Sequence, residues 1–471
     1  MGRVVSAARW LATIARGAVI CAVALLCVMI YTAGSLRRLT IRDREARALH
    51  RARQRGRLLR FSFEALGGTF VKIGQVMSAR ADVLAPAIIV ELRELQDRVR
   101  PFAFSRVRAT VEHELARPLA SIFSELDPTP LAAGSIAQVH RGRLRTGQEV
   151  AIKVLRPRIT QRVHRDARLL LWLAHVTHVL LARARAADVI AHTRSLIAGI
   201  IAQTDLCREA DHYELFRTNF DSVTDIAFPR VYRAFSTRAV LTMEMIHGVR
   251  LEHVPPKHVA QVTRTLRESF FAMCFEHGLI HADLHPGNVL VRDDGTVVLV
   301  DVGLVKHLDA EMIAKLVELS RCLAVGTAHD LVVHLRTQHR HEPSTDWDAV
   351  AVDSAAFIRD LRAKKIADLE VSTVVTKLFA IARKHHIRPL PELSLVLLGM
   401  VTIEGIAKRL DPDANTLAEV ARYLGPLLER RRFARGSGQH AQYSDEVDQQ
   451  RRSSPANFVP FRTGKLRSTT P

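Results

Sequence analysis

The stretch that decides the fold reads HADLHPGNVLVRDDGTVVLVDVG, residues 281–303. Asp283 is followed five positions later by Asn288, and Asp301 comes thirteen positions after Asn288, at the end of an apolar run. Between them, DDGT at 293–296 predicts a tight turn that joins two short strands. Amide and carboxylate oxygens are ligands that Mg²⁺ prefers, and Asp283 is placed to orient or deprotonate an acceptor hydroxyl. The spacing therefore predicts a phosphoryl-transfer site, with Asn288 and Asp301 as its metal ligands.

The other half of such a site lies upstream, in a predicted β-hairpin over 136–155. VAIKV at 150–154 places Lys153 in a β-rich strand, and Glu209 lies in a predicted helix over 191–220. A strand lysine that is held by a helix glutamate can bind the α- and β-phosphates of a nucleotide. Together with the catalytic-loop aspartate, these two residues predict a protein-kinase-like catalytic set.

A run of small residues precedes the strand lysine, where kinases carry a glycine-rich loop. LAAGSIAQV at 131–139 leaves room for backbone N–H groups to approach phosphates. TMEMIHG at 242–248 is the predicted hinge, whose backbone groups would bind an adenine. No APE-like motif follows Asp301, so the usual platform for a protein substrate is not expected. The residues predicted to contact the nucleotide are Leu131, Ala132, Ala133, Gly134, Ser135, Ile136, Val139, Lys153, Glu244 and Ile246.

The N-terminal region holds a candidate membrane helix. Residues 17–36 carry no charge, and a helix of that length spans about 30 Å, the thickness of a hydrocarbon core. Residues 37–60 hold ten arginines against two acids. This positive flank predicts that the following domain is cytoplasmic and contacts anionic headgroups. A cleaved signal peptide is the alternative, supported by a weak cleavage pattern in YTAGSLRR. We expect a single-pass, uncleaved anchor.

Composition limits which partners and which metal or disulfide sites are expected. The 471 residues carry 68 Lys and Arg against 48 Asp and Glu, a formal net charge of +20, which indicates an anionic partner. The five cysteines form no CxxC pair, so neither a structural zinc site nor a disulfide framework is expected. No zinc-finger spacing and no aromatic-interleaved basic strand occurs, so nucleic acid is not an expected partner.

Together these motifs resemble the UbiB/AarF family of atypical protein-kinase-like ATPases, over about residues 60–420. The resemblance implies binding of ATP with Mg²⁺, ATPase activity in preference to protein phosphorylation, and membrane association. It also implies a role in the biosynthesis of ubiquinone, other isoprenoid quinones or lipids. The segments that carry it are KIGQ (72–75), SARADVLAP (78–86), ELRELQD (91–97), PLAAGSIAQVH (130–140), VAIKV (150–154), DLCREADHYELF (205–216), HADLHPGN (281–288) and DVG (301–303).

The resemblance further implies a regulatory set around the KIGQ motif. Lys72, Gly74 and Gln75 would lie in helices that fold over the active site and block the protein-substrate groove. The family's Glu-x-Asp, which engages that lysine, stands here as Gln203-Thr204-Asp205. Because only Asp205 is then left to pair with Lys72, the latch is expected to be weak.

Two other departures from the family pattern bear on function. Gly134 stands where the family's loop often has its third alanine, and a glycine there relaxes the backbone. Such a change bears on nucleotide preference and on phosphoryl transfer to protein. The candidate membrane helix precedes the kinase-like domain, whereas in some bacterial relatives the membrane helices follow it.

The sequence thus predicts an α+β chain with a bilobal protein-kinase-like fold, an N-terminal helical KxGQ extension and a membrane-anchoring helix. Expected partners are ATP, an anionic membrane lipid, and either enzymes of quinone biosynthesis or an isoprenoid lipid. The predicted divisions are an N-terminal segment (1–36) with the transmembrane helix (17–36), an Arg-rich juxtamembrane segment (37–60), the KxGQ extension (61–125), the N-lobe (126–246), the helical C-lobe (247–430) and a disordered tail (431–471).

Two alternative functions stay open. The first is a non-catalytic, ATP-sensing scaffold that organises membrane enzymes. Retention of Lys153, Glu209 and both metal ligands argues against it. The second is a small-molecule phosphotransferase, because antibiotic kinases share the D-x-H-P-x-N loop. The KIGQ helices and the membrane anchor argue against that alternative.

Overall fold

A computed structural model of the chain describes residues 2–38, 43–78, 84, 86–95, 100–180, 189–365, 368–412, 414, 416–420 and 422–426. Contacts group residues 1–420 into one compact unit. Of the second unit, which begins at residue 421, the structure describes 422–426, and these are helical. The predicted disordered tail, 431–471, lies outside the described residues.

The described residues of the N-terminal part form four helices: α1 (Gly2–Arg38), α2 (Arg44–Leu66), α3 (Gly68–Ser78) and α4 (Pro86–Arg93). Helix α2 packs against the other three. Gly67 has a φ of +87°, a left-handed conformation that ends α2 and turns the chain into α3. The KIGQ motif therefore lies on a short helix that is held against α2 and α4.

An antiparallel sheet of order β1-β2-β3-β5 follows, with strands β1 (Phe123–Ala133), β2 (Ala137–Leu144), β3 (Glu149–Leu155) and β5 (Val240–Glu244). Val150, Ile152 and Val154 of β3 are buried in one core with residues of helix α5 (Phe104–Leu115). Burying such a side chain stabilises the fold by about 1.5–3 kcal/mol. The predicted hairpin over 136–155 is confirmed, and its second strand, β3, is anchored in this core.

Strand β1 differs from the sequence expectation, which is helix over 61–125. Strand β1 begins at Phe123, directly after the short helix α6 (Leu119–Ile122), so the helical prediction is wrong for residues 123–125. Strand β1 contains Pro128 and Pro130, and its pairing with β2 shifts register between Leu126 and Pro130. Proline is tolerated in strands at such irregularities but weakens the sequence signal for a strand.

The described residues between β3 and β5 include three α-helices: α7 (Ile159–Leu180), α8 (Val189–Ala202) and α9 (Leu206–Asn219). The sequence pattern predicts one helical stretch over 165–220 with a weak break at 186–188, and that break lies outside the described residues. The structure adds a second break before α9. There the carboxylate of Asp205 accepts a hydrogen bond from the backbone N–H of Cys207 at 3.1 Å and caps the new helix.

Short strands carry the 281–303 segment. A mixed sheet has the order β4-β9-β8-β6, and β7 pairs with β10. Strands β8 and β9 are antiparallel and are joined by the expected Asp-Gly turn, in which Gly295 has a φ of +87°. The predicted turn is therefore confirmed. These strands are β4 (Ile226–Ala227), β6 (Val249–Arg250), β7 (Leu279–His281), β8 (Val289–Val291), β9 (Val297–Leu299) and β10 (Val305–His307).

Helices supply the rest of the described C-terminal part. Phe270 is buried against Gly399, where an added Cβ would come within 2.3 Å of the phenyl ring, so the two helices that carry these residues pack closely. The predicted helical character from residue 309 onward is confirmed over the described ranges. The helices are α10 (Pro256–Phe275), α11 (Ala310–Ala324), α12 (Ala328–Gln338), α13 (Trp347–Ala363), α14 (Val371–Lys384) and α15 (Pro391–Leu410).

Candidate active site

Lys153 lies in the middle of the first sheet, where it pairs with Val139 on β2 and with Leu241 on β5. Its Nζ donates to both carboxylate oxygens of Glu209, at 2.7 and 2.9 Å, and to Oδ2 of Asp301 at 3.1 Å. The three side chains come from β3, from α9 and from the segment after β9. The structure thus brings together the predicted strand lysine, its helix partner and one predicted metal ligand.

Burial and charge act against each other in this trio. Burial alone would lower the pKa of Lys153, but the carboxylates of Asp301 and Glu209 outweigh it and raise that pKa. Burial raises the pKa of Glu209 to about 7, although the ammonium of Lys153 opposes the shift. Burial would also raise the pKa of Asp301, but Lys153 and Lys72 hold it well below its usual value. Asp301 is therefore ionised, and Lys153 is charged.

The loop segments place the remaining predicted residues beside one another. Asn288 closes a short 3-10 turn, and its Nδ2 donates to the backbone oxygen of Asp283 at 3.0 Å. The N–H of Val300 donates to the backbone oxygen of Asn288 at 3.0 Å, so the β8–β9 ladder sets Asn288 next to the residue before Asp301. Oδ1 of Asp301 accepts from the N–H of Gly303 at 2.9 Å, which fixes the carboxylate.

Two histidines outside the predicted site residues hold these loops. The ring of His281, on β7, bonds through Nε2 to the backbone oxygen of Asp301 and accepts from the N–H of Asp283 through Nδ1. His212, one turn after Glu209 on α9, bonds through Nδ1 to the backbone oxygen of Val302 at 2.9 Å. The only sequence signal for His212 is its position three residues after Glu209, which places it on the same helical face.

Lys72 of the KIGQ motif reaches the catalytic loop. Its Nζ donates to Oδ2 of Asp283 at 3.0 Å, and its side chain is 11% exposed. Burial would raise the pKa of Asp283, but Lys72 and His285 hold it below its usual value. The expected pairing of Lys72 with Asp205 is wrong. The Asp205 carboxylate caps α9, so it is directed at the backbone of its own helix, and it also lies 3.7 Å from Arg238.

The other predicted regulatory residues make contacts within and between the N-terminal helices and α8. A Cβ on Gly74 would come within 2.2 Å of Leu95 and 2.5 Å of Phe63, so glycine permits the close approach of α3. Nε2 of Gln75 donates to the backbone oxygen of Leu95 at 3.3 Å. Gln203 directly follows α8, and its Nε2 donates to the backbone oxygen of Gly199 in that helix at 3.4 Å, at the position where the family resemblance implies a glutamate.

The small-residue loop forms the turn between β1 and β2. The N–H of Gly134 donates to the backbone oxygen of Ala137 at 2.8 Å, and Arg156 bonds back to the Gly134 oxygen at 2.8 Å. A Cβ on Gly68, at the start of α3, would lie 2.8 Å from the backbone oxygen of Ser135, so α3 touches this loop. Leu131 and Ala132 are exposed, Ala133, Gly134 and Val139 are half-buried, and Ser135 and Ile136 are buried.

The predicted hinge lies at the end of β5. The N–H of Glu244 donates to the backbone oxygen of Arg230 at 2.8 Å, and the N–H of Met245 donates to that of Glu149 at 3.2 Å. Ile246 is buried. A depression of about 370 Å³ adjoins the hinge, lined by Glu244, Met245, His247, Arg292, Asp293 and Asp294.

The fold and the site together define a protein-kinase-like protein. The model of the ABC1 atypical kinase-like domain matches residues 94–331, and that of the UbiB helical domain matches residues 354–415. A probable protein kinase UbiB of Aeromonas salmonicida (strain A449) is 32% identical over 384 residues, which cover 79% of this chain and 70% of that protein. The chain therefore belongs to the ABC1/UbiB family of atypical kinase-like proteins.

The chain is also similar to a second relative and, more weakly, to one solved structure. A probable protein kinase UbiB of Marinobacter nauticus is 29% identical, over 80% of this chain and 71% of that protein. The solved structure titled as the complex of Rv3197 with erythromycin, from Mycobacterium tuberculosis, has a TM-score of 0.45 and 21% identity. That likeness covers 72% of this chain and 91% of the other.

Proposed function

We propose that the protein is an atypical kinase-like enzyme that binds ATP with Mg²⁺ and either hydrolyses the ATP or transfers its phosphoryl group. The observation that carries this proposal is the contact of the Lys153 ammonium with both Glu209 and Asp301. A cation held between a helix and a metal-ligand loop is placed to bind the phosphates of a nucleotide. In this role Glu209 orients Lys153, and the loop of 131–136 covers the phosphates.

The residues around Asp301 fit a magnesium ion. The Asp301 side chain is ionised, and 43% of its surface is exposed. Asn288 uses its amide nitrogen on Asp283, which leaves the amide oxygen as the atom that would hold the metal. When bound, Mg²⁺ would neutralise the charge that develops on the phosphate oxygens. His281 and His212 hold the backbone oxygens of Asp301 and Val302.

Asp283 is the residue placed to take a proton from an acceptor hydroxyl or a water molecule. Lys72 holds the pKa of Asp283 below its usual value and donates to one of its carboxylate oxygens. A helix seated there would exclude a protein substrate, which supports ATP hydrolysis, or transfer to a small acceptor, over phosphorylation of proteins. This part of the proposal also draws on the family resemblance.

The biological role that we propose is support of ubiquinone, other isoprenoid-quinone or lipid biosynthesis at a membrane. The names of the relatives point to UbiB-type function. Membrane attachment is supported by Ile14–Gly34 of α1, which is long and apolar enough to cross a bilayer and is not buried in the protein. The excess of arginine after α1 favours the cytoplasmic side for the kinase-like domain.

The test is ATP hydrolysis by the purified full chain with Mg²⁺ and vesicles of anionic lipid. Asp301→Asn and Lys153→Ala should each lower turnover by about 10²-fold or more, since each removes charge from the phosphate site. Lys315→Ala is the matched control, because Lys315 pairs with Glu311 on the surface of α11. Unchanged turnover in both site variants would contradict an active site built on these residues. Binding of ATP without hydrolysis would favour the scaffold alternative.

A further inference from the structure

Helix α1 is apolar around most of its surface, yet it touches the rest of the protein along one stripe. Within Ile14–Gly34 the partly buried positions recur every three or four residues, and all others are exposed. Leu25, Val28 and Met29 are each more than half exposed. A continuous exposed apolar surface of this kind marks a site that is buried against a membrane or another protein. The partly buried positions are Arg16, Gly17, Ile20, Val23, Cys27, Tyr31 and Gly34.

The start of this apolar helix is fastened to the kinase-like body. Nε and Nη2 of Arg16 bond to the carboxylate of Asp166 on α7, at 3.0 and 3.2 Å. Nη2 of Arg16 also donates to the backbone oxygen of Leu66 at 2.6 Å, and its guanidinium lies 5.3 Å from the centre of the Phe70 ring. Asp166 is buried. This end of α1 is therefore fixed beside the end of α2.

The contacts along the stripe show that α1 and α2 run antiparallel. Sγ of Cys27 lies 3.0 Å from Oγ of Ser62, and Arg55 donates to the hydroxyl of Tyr31 at 3.2 Å. At the far end, a Cβ on Gly34 would meet the amide of Gln54. Residue numbers rise along α1 while those of their partners fall along α2. The two helices therefore form a hairpin whose open end is joined to the body.

This hairpin is incompatible with the single pass that the sequence pattern predicts. In a helix perpendicular to the bilayer, Gly34 would lie about 27 Å from Arg16, near the opposite face of the hydrocarbon core. Helix α2 would be carried across the bilayer with it. Its seven arginines make that placement very unfavourable, because charged side chains are costly inside hydrocarbon. Arg51, Arg53 and Arg55 are all exposed.

We propose that α1 lies in the membrane interface as one arm of the α1–α2 hairpin and does not cross the bilayer. The exposed apolar surface of α1 enters the acyl region of one leaflet, and the exposed arginines of α2 face anionic headgroups. The inference rests on the membrane attachment proposed above and specifies its geometry. The occupant of this surface is an anionic bilayer, which matches both the apolar surface and the positive charge.

A disulfide lock between the two helices tests this geometry. In Ser62→Cys the new sulfur replaces an oxygen that lies 3.0 Å from Sγ of Cys27, within reach of a disulfide after a small adjustment. The full chain is oxidised in detergent with copper–phenanthroline and then mixed with phosphatidylglycerol–phosphatidylcholine vesicles. Flotation is compared before and after reduction. Ser62→Cys with Cys27→Ser is the matched control, since it retains the exposed Cys21 on another side of α1.

The proposal expects the locked and the reduced protein to float with the vesicles in equal fractions. It also expects the same disulfide yield when oxidation follows vesicle binding, and no intramolecular disulfide in the control. Flotation of the reduced protein alone would show that α1 must leave α2 to insert, which overturns the hairpin while membrane attachment stands. Failure of the disulfide to form would also overturn the hairpin. Failure of both forms to float would overturn membrane attachment itself.

Discussion

Nζ of Lys72 lies 3.0 Å from Oδ2 of Asp283. This contact joins the N-terminal helices to the catalytic loop, across 211 positions of sequence. It gives Lys72 two effects on the site. It lowers the pKa of the Asp283 carboxylate, and it occupies one oxygen of that carboxylate. Both effects are open to measurement.

Lys72→Met should move the acid limb of the ATPase pH profile to higher pH. Burial raises the pKa of Asp283, and Lys72 is the group that opposes this shift most strongly. Without the Lys72 ammonium, the pKa of Asp283 should therefore be higher. A base with a higher pKa is protonated at a higher pH, so activity is lost earlier as the pH falls. Lys306→Met, which removes a surface lysine near Glu392, should leave the profile unchanged. An acid limb that stays in place would show that Lys72 does not tune the catalytic base.

Gly74→Ala should destabilise the packing of α3 by about 1–3 kcal/mol, the usual effect of overpacking. The added methyl group would meet Leu95 and the Phe63 ring at distances that real Cβ atoms do not adopt. Thermal unfolding of the detergent-solubilised protein measures the change. Gly405→Ala is the matched control, because Gly405 lies in α15 with open space around the position of a Cβ. Equal melting temperatures for the two variants would rule out a packing role for Gly74.

His212→Leu should lower turnover more than nucleotide affinity, since His212 acts on the backbone beside Asp301 and not on the nucleotide. The change leaves the backbone oxygen of Val302 without the donor that lies 2.9 Å away, at a cost of about 1–3 kcal/mol. His212→Asn keeps a donor near the position of Nδ1 and should restore most of the activity. If Leu and Asn behave alike, His212 is not a positioning residue.

His334→Leu should make stability less sensitive to pH between 6.5 and 4. His334 and His339 are buried beside each other, with ring centroids 5.4 Å apart, and burial lowers the pKa of each to about 4. As the pH falls from 6.5 toward 4, the unfolded chain binds protons that the folded chain does not, so stability is lost across this window. Urea unfolding at pH 7 and pH 5 measures the loss.

The control for this pH experiment is His329→Leu, because His329 is exposed on α12. The control should lose stability between pH 7 and pH 5 as the wild type does, whereas His334→Leu should lose less. Removal of the His334 ring should cost little at pH 7, since neither ring nitrogen has a hydrogen-bond partner among the described residues. An unchanged pH dependence in His334→Leu would exclude the histidine pair as its source.

Local patterns were sufficient to predict the central part of the fold. Alternation in the hairpin places Lys153 on β3, and the Asp-Gly pair before Thr296 predicts the turn between β8 and β9. The spacing of Asp283, Asn288 and Asp301 reflects two short connections: Asn288 bonds to the backbone of Asp283, and the β8–β9 ladder sets Asn288 next to Val300. For this reason the sequence places these side chains near one another without information on distant packing.

Contacts between distant segments were not predictable in the same way. The partner of Lys72 depends on where α3 lies over the catalytic loop, and the sequence suggested Asp205, which instead caps α9. The hydrogen bond of His212 depends on the placement of α9 against the loop after β9. Strand β1 was missed because its prolines mask a strand that is held by pairing with β2. In each case tertiary packing decides the outcome, and no local pattern encodes it.

The most direct test of the account is calorimetric titration of the full chain with ATP, in the presence and absence of Mg²⁺. If Lys153, Glu209, Asn288 and Asp301 form one phosphate and metal site, wild-type affinity should rise when Mg²⁺ is added. Lys153→Met should weaken binding in both conditions, Asp301→Asn should abolish the effect of Mg²⁺, and Lys315→Met should match the wild type. Binding that is unaffected by either site variant, or that is independent of Mg²⁺ in the wild type, would contradict the account.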